Sequence, residues 1–69
     1  MNTISIDAIV SFSYKGGRKV KGKVIYITKT GFTLELYNDY IGRNEEWYKG
    51  ESKAFNMKET KNFKILNSN

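Results

Sequence analysis

The chain contains no cysteine, no histidine and no proline, and each absence narrows what it can be. Without cysteine there is no disulfide staple, no thiol nucleophile and no thiolate metal site. Without histidine the commonest imidazole base and transition-metal ligand is missing as well. No apolar run approaches the ~20 residues of a membrane-spanning helix, and the N-terminus lacks the apolar stretch of a signal peptide, so a soluble, cytoplasmic protein with no membrane partner is expected. With 69 residues, one domain over 1–69 is expected, with 1–3 and 67–69 as frayed tails. A core of that size rarely supplies more than ~3–5 kcal/mol, so a monomer and a small homo-oligomer both fit the chain. The lack of proline means that strand edges must be protected by charge, twist or closure.

Acidic residues are also missing from most of the first half. Residues 8–34 carry Lys15, Arg18, Lys19, Lys21, Lys23 and Lys29 with no Asp or Glu. Residues 1–7 hold Asp7 alone, and residues 35–69 balance six bases against six acids, so the net charge of +5 resides entirely in the first half. A sign asymmetry of this kind points to an anionic partner.

What the chain does have is aromatic and β-branched residues in alternation. Val10, Phe12 and Tyr14, then Val20, Val24 and Tyr26, then Phe32, Leu34 and Leu36 recur with period two, the pattern of half-buried strands. Strands are predicted near 8–14, 19–28, 32–38, 45–57 (two strands or one broken one) and 62–66. Gly16 and Gly17 suit the positive φ of a tight hairpin, and Gly31 suits a left-handed position closing the Thr28–Gly31 turn. Residues 48–52 supply a third turn, and Gly22, inside a strand, marks a bulge or bend. Residues 56–61 are long-chain and polar and suit one helical turn before Phe63, Ile65 and Leu66. The fold class expected is therefore all-β, a single five- to six-stranded small barrel with a short helical turn before the last strand.

The order of these elements resembles the SH3-like and Sm-like small barrels. Val20-Lys21-Gly22-Lys23-Val24, followed by Gly31-Phe32-Thr33-Leu34-Glu35-Leu36, is similar to the second and third strands of Sm-like proteins, in which a hydrophobic-x-Gly-x-hydrophobic strand bends sharply. Thr28 to Thr30 stand where Sm-type RNA sites carry an Asp and an Asn, so a uridine pocket of that type is not expected. The segment Ser52-Lys53-Ala54-Phe55-Asn56-Met57-Lys58, running on to Ile65-Leu66, resembles the closing segment of WYL domains, Sm-like barrels associated with nucleic-acid or nucleotide sensing. In that family a basic residue stands two before the Phe, and the resemblance implies that role for Lys53.

Strand alternation puts Lys19, Lys21 and Lys23 on one face of the second strand, opposite Val20, Val24 and Tyr26. With Lys15 and Arg18 at the adjacent turn they form a basic stripe suited to a phosphate backbone; the competing reading is that such lysines only solvate an exposed strand. Tyr37, Tyr40, Trp47 and Tyr48 surround the 38–44 loop and are candidates for stacking on bases. Trp47 is expected in the core and Tyr40 on the surface. Arg43 suits a bidentate contact to phosphate, or an ion pair with Glu45 or Glu46.

Catalysis finds little support. Glu45 and Glu46 fall on opposite faces of a strand and cannot flank one bond as an acid/base pair. Ser11 and Ser13 have no histidine to activate them, and Gly16-Gly17 lacks the Lys-Ser/Thr and helix of a phosphate-cradling loop. The expectation is a non-enzymatic, cofactor-free and metal-free module that binds DNA or RNA through Lys15, Arg18, Lys19, Lys21 and Lys23, with Tyr40, Arg43 and Lys53 as further contacts. The alternative is a protein-interaction module, such as a phage or mobile-element accessory protein, that engages an acidic partner through an exposed strand or the aromatic loop.

Overall fold

The computed structural model describes residues 4–15 and 17–67. The alternating stretches form strands β1 (Ile9–Tyr14), β2 (Lys19–Ile27) and β3 (Gly31–Leu36); β4 (Tyr40–Ile41), β5 (Glu46–Trp47), β6 (Ser52–Asn56) and β7 (Thr60–Asn67) follow, with a 3-10 turn at Met57–Glu59 between the last two. The protein is all-β: five strands make one antiparallel sheet in the order β6-β3-β2-β1-β7, and β4 and β5 pair as a separate ribbon. The 45–57 stretch is thus two strands, and the helical turn before the last strand is present. Asn56 caps that turn by accepting the Lys58 N–H on its side chain at 2.9 Å, the role for which Asn is favoured.

Alternation sends Val10, Phe12 and Tyr14 of β1, Val20 and Val24 of β2, and Phe32, Leu34 and Leu36 of β3 to one buried face. Tyr40 and Trp47 of the ribbon and Phe55 of β6 complete the core, with Phe63 and Ile65 of β7 packed against it. The aromatic rings are in mutual contact. Phe12 lies 5.1 Å from Phe55, 5.6 Å from Phe32 and 6.1 Å from Phe63. In a flat sheet β1 and β6 would stand roughly 14 Å apart, three strand spacings, so contact between the Phe12 and Phe55 rings requires the sheet to curl around the aromatic cluster. Among the described residues no ladder joins β6 to β7; the curled sheet is not closed by strand pairing there.

Glycine acts here by permitting close approach. Gly22 pairs with Val10 and Leu36 without a register shift, so it is not the expected bulge; a Cβ at this position would run into the Glu35 carbonyl oxygen of β3. Gly31 opens β3 instead of occupying a left-handed turn position, and its bare Cα lies against the Phe55 carbonyl of β6. At the hairpin turn Lys15 takes a positive φ of 51° and Gly17 does not; Gly16 lies outside the described residues, and among the described glycines only Gly50 has a positive φ. Asn67, expected in a frayed tail, pairs with Ile9, while 1–3 and 68–69 lie outside the described residues.

Three register shifts break the ladders. On β2, Val24 pairs with Leu34 but Tyr26 pairs with Thr33, leaving Ile25 as an extra residue. On β7, Ser11 and Ser13 of β1 pair with Lys64 and Lys61, so three steps on β7 oppose two on β1. The third shift lies between Ile9 and Val10. Bulges of this kind bend a strand and reverse the inside/outside alternation beyond them.

Candidate nucleic-acid interface

The outer face of β2, β1 and β7 is built by register. On β1 the residues between the buried ones, Ser11 and Ser13, face outward and are half-buried. Ser13 pairs with Lys19 on one side and Lys61 on the other, and Ser11 pairs with Lys21 and Lys64. Directly paired residues share a face, so each serine stands between two lysines. The two lysine rows are two strand spacings apart, roughly 10 Å, and along β2 a lysine recurs about every 6.7 Å.

The bulge on β7 shapes the floor of this face. Asn62 takes a φ of 56°, a left-handed conformation that Asn tolerates better than most residues. A depression of about 260 Å³ lies there, lined by Ser11, Ser13, Lys19, Asn62 and Lys64 among others. Its polar lining residues are two serines, two lysines and Asn62, beside Phe12 and Phe63, with no acidic residue. That set donates hydrogen bonds to an anion and has no charged acceptor to repel one.

Charge on the face is little compensated. Strands β1, β2 and β7 contain five lysines and no acid. Lys23 pairs with Glu35 of β3 at 3.7 Å, while Lys19, Lys21, Lys61 and Lys64 have no ion pair among the described residues. The Lys23–Glu35 pair is solvent-exposed and contributes no more than ~1 kcal/mol. Asn38 holds the backbone of the β2 row: the Lys21 N–H donates to its Oδ1 at 3.0 Å, and its Nδ2 donates to the Lys19 carbonyl at 3.4 Å. One side chain thus takes the place of a strand neighbour beyond the end of β3.

The expected site residues divide. Lys19, Lys21 and Lys23 do share one face, and Arg18 is exposed at the adjoining turn. Lys15 is drawn away, pairing with Glu45 at 3.7 Å and Glu59 at 3.6 Å, with its ammonium 5.1 Å from the centre of the Tyr14 ring. Lys53 extends over Trp47, 4.9 Å from its ring, on the core side of the sheet. Arg43 is exposed at the tip of the β4–β5 ribbon; Glu45 is taken by Lys15 and Glu46 accepts the Tyr48 hydroxyl at 2.7 Å, so neither pairs with it. Tyr40 is buried, 8% exposed, and stacks on Trp47 at 4.5 Å. That corrects its expected surface position: the loop folds back as the ribbon and carries both aromatics into the core.

Lys61, Lys64 and Asn62 were not among the expected site residues, and Ser11 and Ser13 were weighed only as nucleophiles. Lys61 and Lys64 differ in parity, which in a regular strand puts them on opposite faces; the bulge between them puts both outside. Asn inside a strand, a residue that tolerates left-handed backbone, is the one local signal of that bulge.

The junction beside this face carries a titration that the stability should report. Burial pushes the Tyr14 phenol above its ordinary value of 10.0, with Glu45 and Glu59 adding to the rise and the hydrogen bond with Lys15 opposing it. The folded protein therefore holds this proton more tightly than the unfolded chain, a stabilisation fully present below pH 10 and lost as the pH rises through the folded value. Melting temperature is expected to fall as the pH rises above 10 by more in the wild type than in Tyr14→Phe. Equal falls in the two proteins would show that Tyr14 ionisation has no part in alkaline unfolding. No family model matches the chain, and no curated protein or solved structure matches it.

Proposed function

We propose that this protein is a non-catalytic nucleic-acid-binding module, a small barrel of SH3-like or Sm-like kind that takes a phosphate backbone along the outer face of β2, β1 and β7. The observation that carries the reading is the pair of lysine rows, Lys19 and Lys21 facing Lys61 and Lys64 across Ser11 and Ser13, without a carboxylate partner for any of the four among the described residues. The curl of the sheet around Phe12 and Phe55, with the 3-10 turn before β7, supports the small-barrel part. Lys23 and Arg18 extend the face; Lys15, Lys53, Arg43 and Tyr40 lie apart from it and are not assigned contacts. The aromatic-loop version of a protein-docking reading loses support, since Tyr40 and Trp47 are core residues.

Phosphate recognition by ammonium groups releases counterions, so affinity falls steeply with salt. Four contacts predict a loss of about 50- to 150-fold in affinity for a short oligonucleotide between 50 and 200 mM salt. Fluorescence anisotropy with labelled DNA and RNA measures it. No binding at 50 mM salt, or binding indifferent to salt, removes the reading.

A further inference from the structure

Tyr26 is the most exposed large apolar residue among the described residues, at 63%, although its even number places it with Val20, Val24 and the core. The cause is the bulge at Ile25. Beyond it Tyr26 pairs with Thr33, which lies between the buried Phe32 and Leu34 and so belongs to the outer face. The bulge therefore sets an aromatic ring in line with Lys19, Lys21 and Lys23, on the side of the sheet that carries the lysine rows. From Lys21 to Tyr26 the strand advances roughly 13 Å once the bulge is allowed for. The exposed apolar residues also include Tyr37 and Tyr48, but neither lies on β2, β1 or β7.

An exposed ring at the end of a cationic row discriminates between forms of nucleic acid. In a duplex the base faces are stacked away and only phosphates and base edges are presented; an unpaired base offers its π-face to any exposed aromatic. Lysines alone would treat the two forms by charge density, and the serine-lined depression would take a phosphate from either. Tyr26 adds a contact that only the single strand can make.

We infer that the site takes single-stranded nucleic acid, with one base stacked on Tyr26 while the backbone runs past Lys21 and Lys19 toward the depression over Ser11 and Ser13. This rests on the proposed nucleic-acid reading and specifies its ligand. Glu35, the acid paired with Lys23 beside this path, disfavours a close phosphate there. Lys21, Lys19 and Lys64 remain for the backbone.

The test is anisotropy at 50 mM salt with a labelled single strand of about 12 nucleotides and a duplex of the same length, a size within the ~4–16 nucleotides that small β-domains cover. Wild type, Tyr26→Ala, Tyr26→Phe and Lys21→Glu are compared, with melting temperature confirming that each is folded. The expected result is that Tyr26→Ala weakens single-strand binding about 5- to 150-fold and leaves duplex binding unchanged. Tyr26→Phe should keep single-strand affinity, because the ring face and not the hydroxyl is used, and Lys21→Glu should weaken both. If Tyr26→Ala alters neither, or lowers both equally, the single-strand inference is overturned while the nucleic-acid reading stands. If the wild type binds neither probe, that reading fails and the inference fails with it.

Discussion

Phe12→Ala is expected to leave the protein largely unfolded at 25 °C. Phe12 is 1% exposed at the centre of β1 and touches Phe32, Phe55 and Phe63, one ring from each of β3, β6 and β7. Truncating a buried Phe to Ala removes about 3–5 kcal/mol through lost burial and the remaining cavity. A single core of this size rarely supplies more than that in total. The contacts of Phe12 and Tyr14 with Phe55, at 5.1 and 5.4 Å, hold β6 over β1 in the curled sheet. Far-UV circular dichroism and thermal melting check the prediction. A cooperative melt within a few degrees of wild type would mean that the aromatic cluster is not the main source of stability. Phe12→Leu, which keeps most of the apolar volume, should fold with a lowered melting temperature.

The second large effect concerns binding without stability. Replacing Lys21 and Lys64 together by glutamate reverses the charges on both sides of Ser11. Neither lysine has an ion pair among the described residues and both are exposed, so the melting temperature should hardly change. Oligonucleotide affinity at 50 mM salt should fall by more than tenfold, and the slope of log K against log salt should shrink by about 1.4 for a single strand, two contacts' worth. A control with the same change in net charge reverses Lys29, in the β2–β3 turn, and Lys58, in the 3-10 turn. Both are exposed and off the serine face. An equal loss in the control would mean that binding follows total charge, and that no particular face is used.

The identity and order of the main strands could be read from residue alternation because a half-buried strand must place one face in the core and the other in water. Val10, Phe12 and Tyr14 illustrate it, with Ser11 and Ser13 between them. The short ribbon strand β4 was not legible, since two residues carry no period, and β5 was legible only as part of the 45–57 stretch. Tyr40 shows the consequence: within the 38–44 segment, polar at both ends, it reads as a loop aromatic, yet it is buried because Tyr14 and Trp47 provide a matching apolar surface. Lys15 shows the converse. Its segment contains no acid, but Glu45 and Glu59 reach it from distant parts of the chain.

By itself the sequence determined an all-β chain, an aromatic core including Trp47, and three lysines in phase on β2. The tertiary structure decided which other residues join those lysines. Pairing of β1 with β7 brought Lys61 and Lys64 to the far side of the serines, a contact between segments about fifty residues apart that no local pattern records. The extra residues at Ile25 and around Asn62 then reversed alternation, turning Tyr26 outward and setting Lys61 and Lys64 on one side. A bulge adds one residue to one strand relative to its partner, so its position is defined only once the two strands are paired.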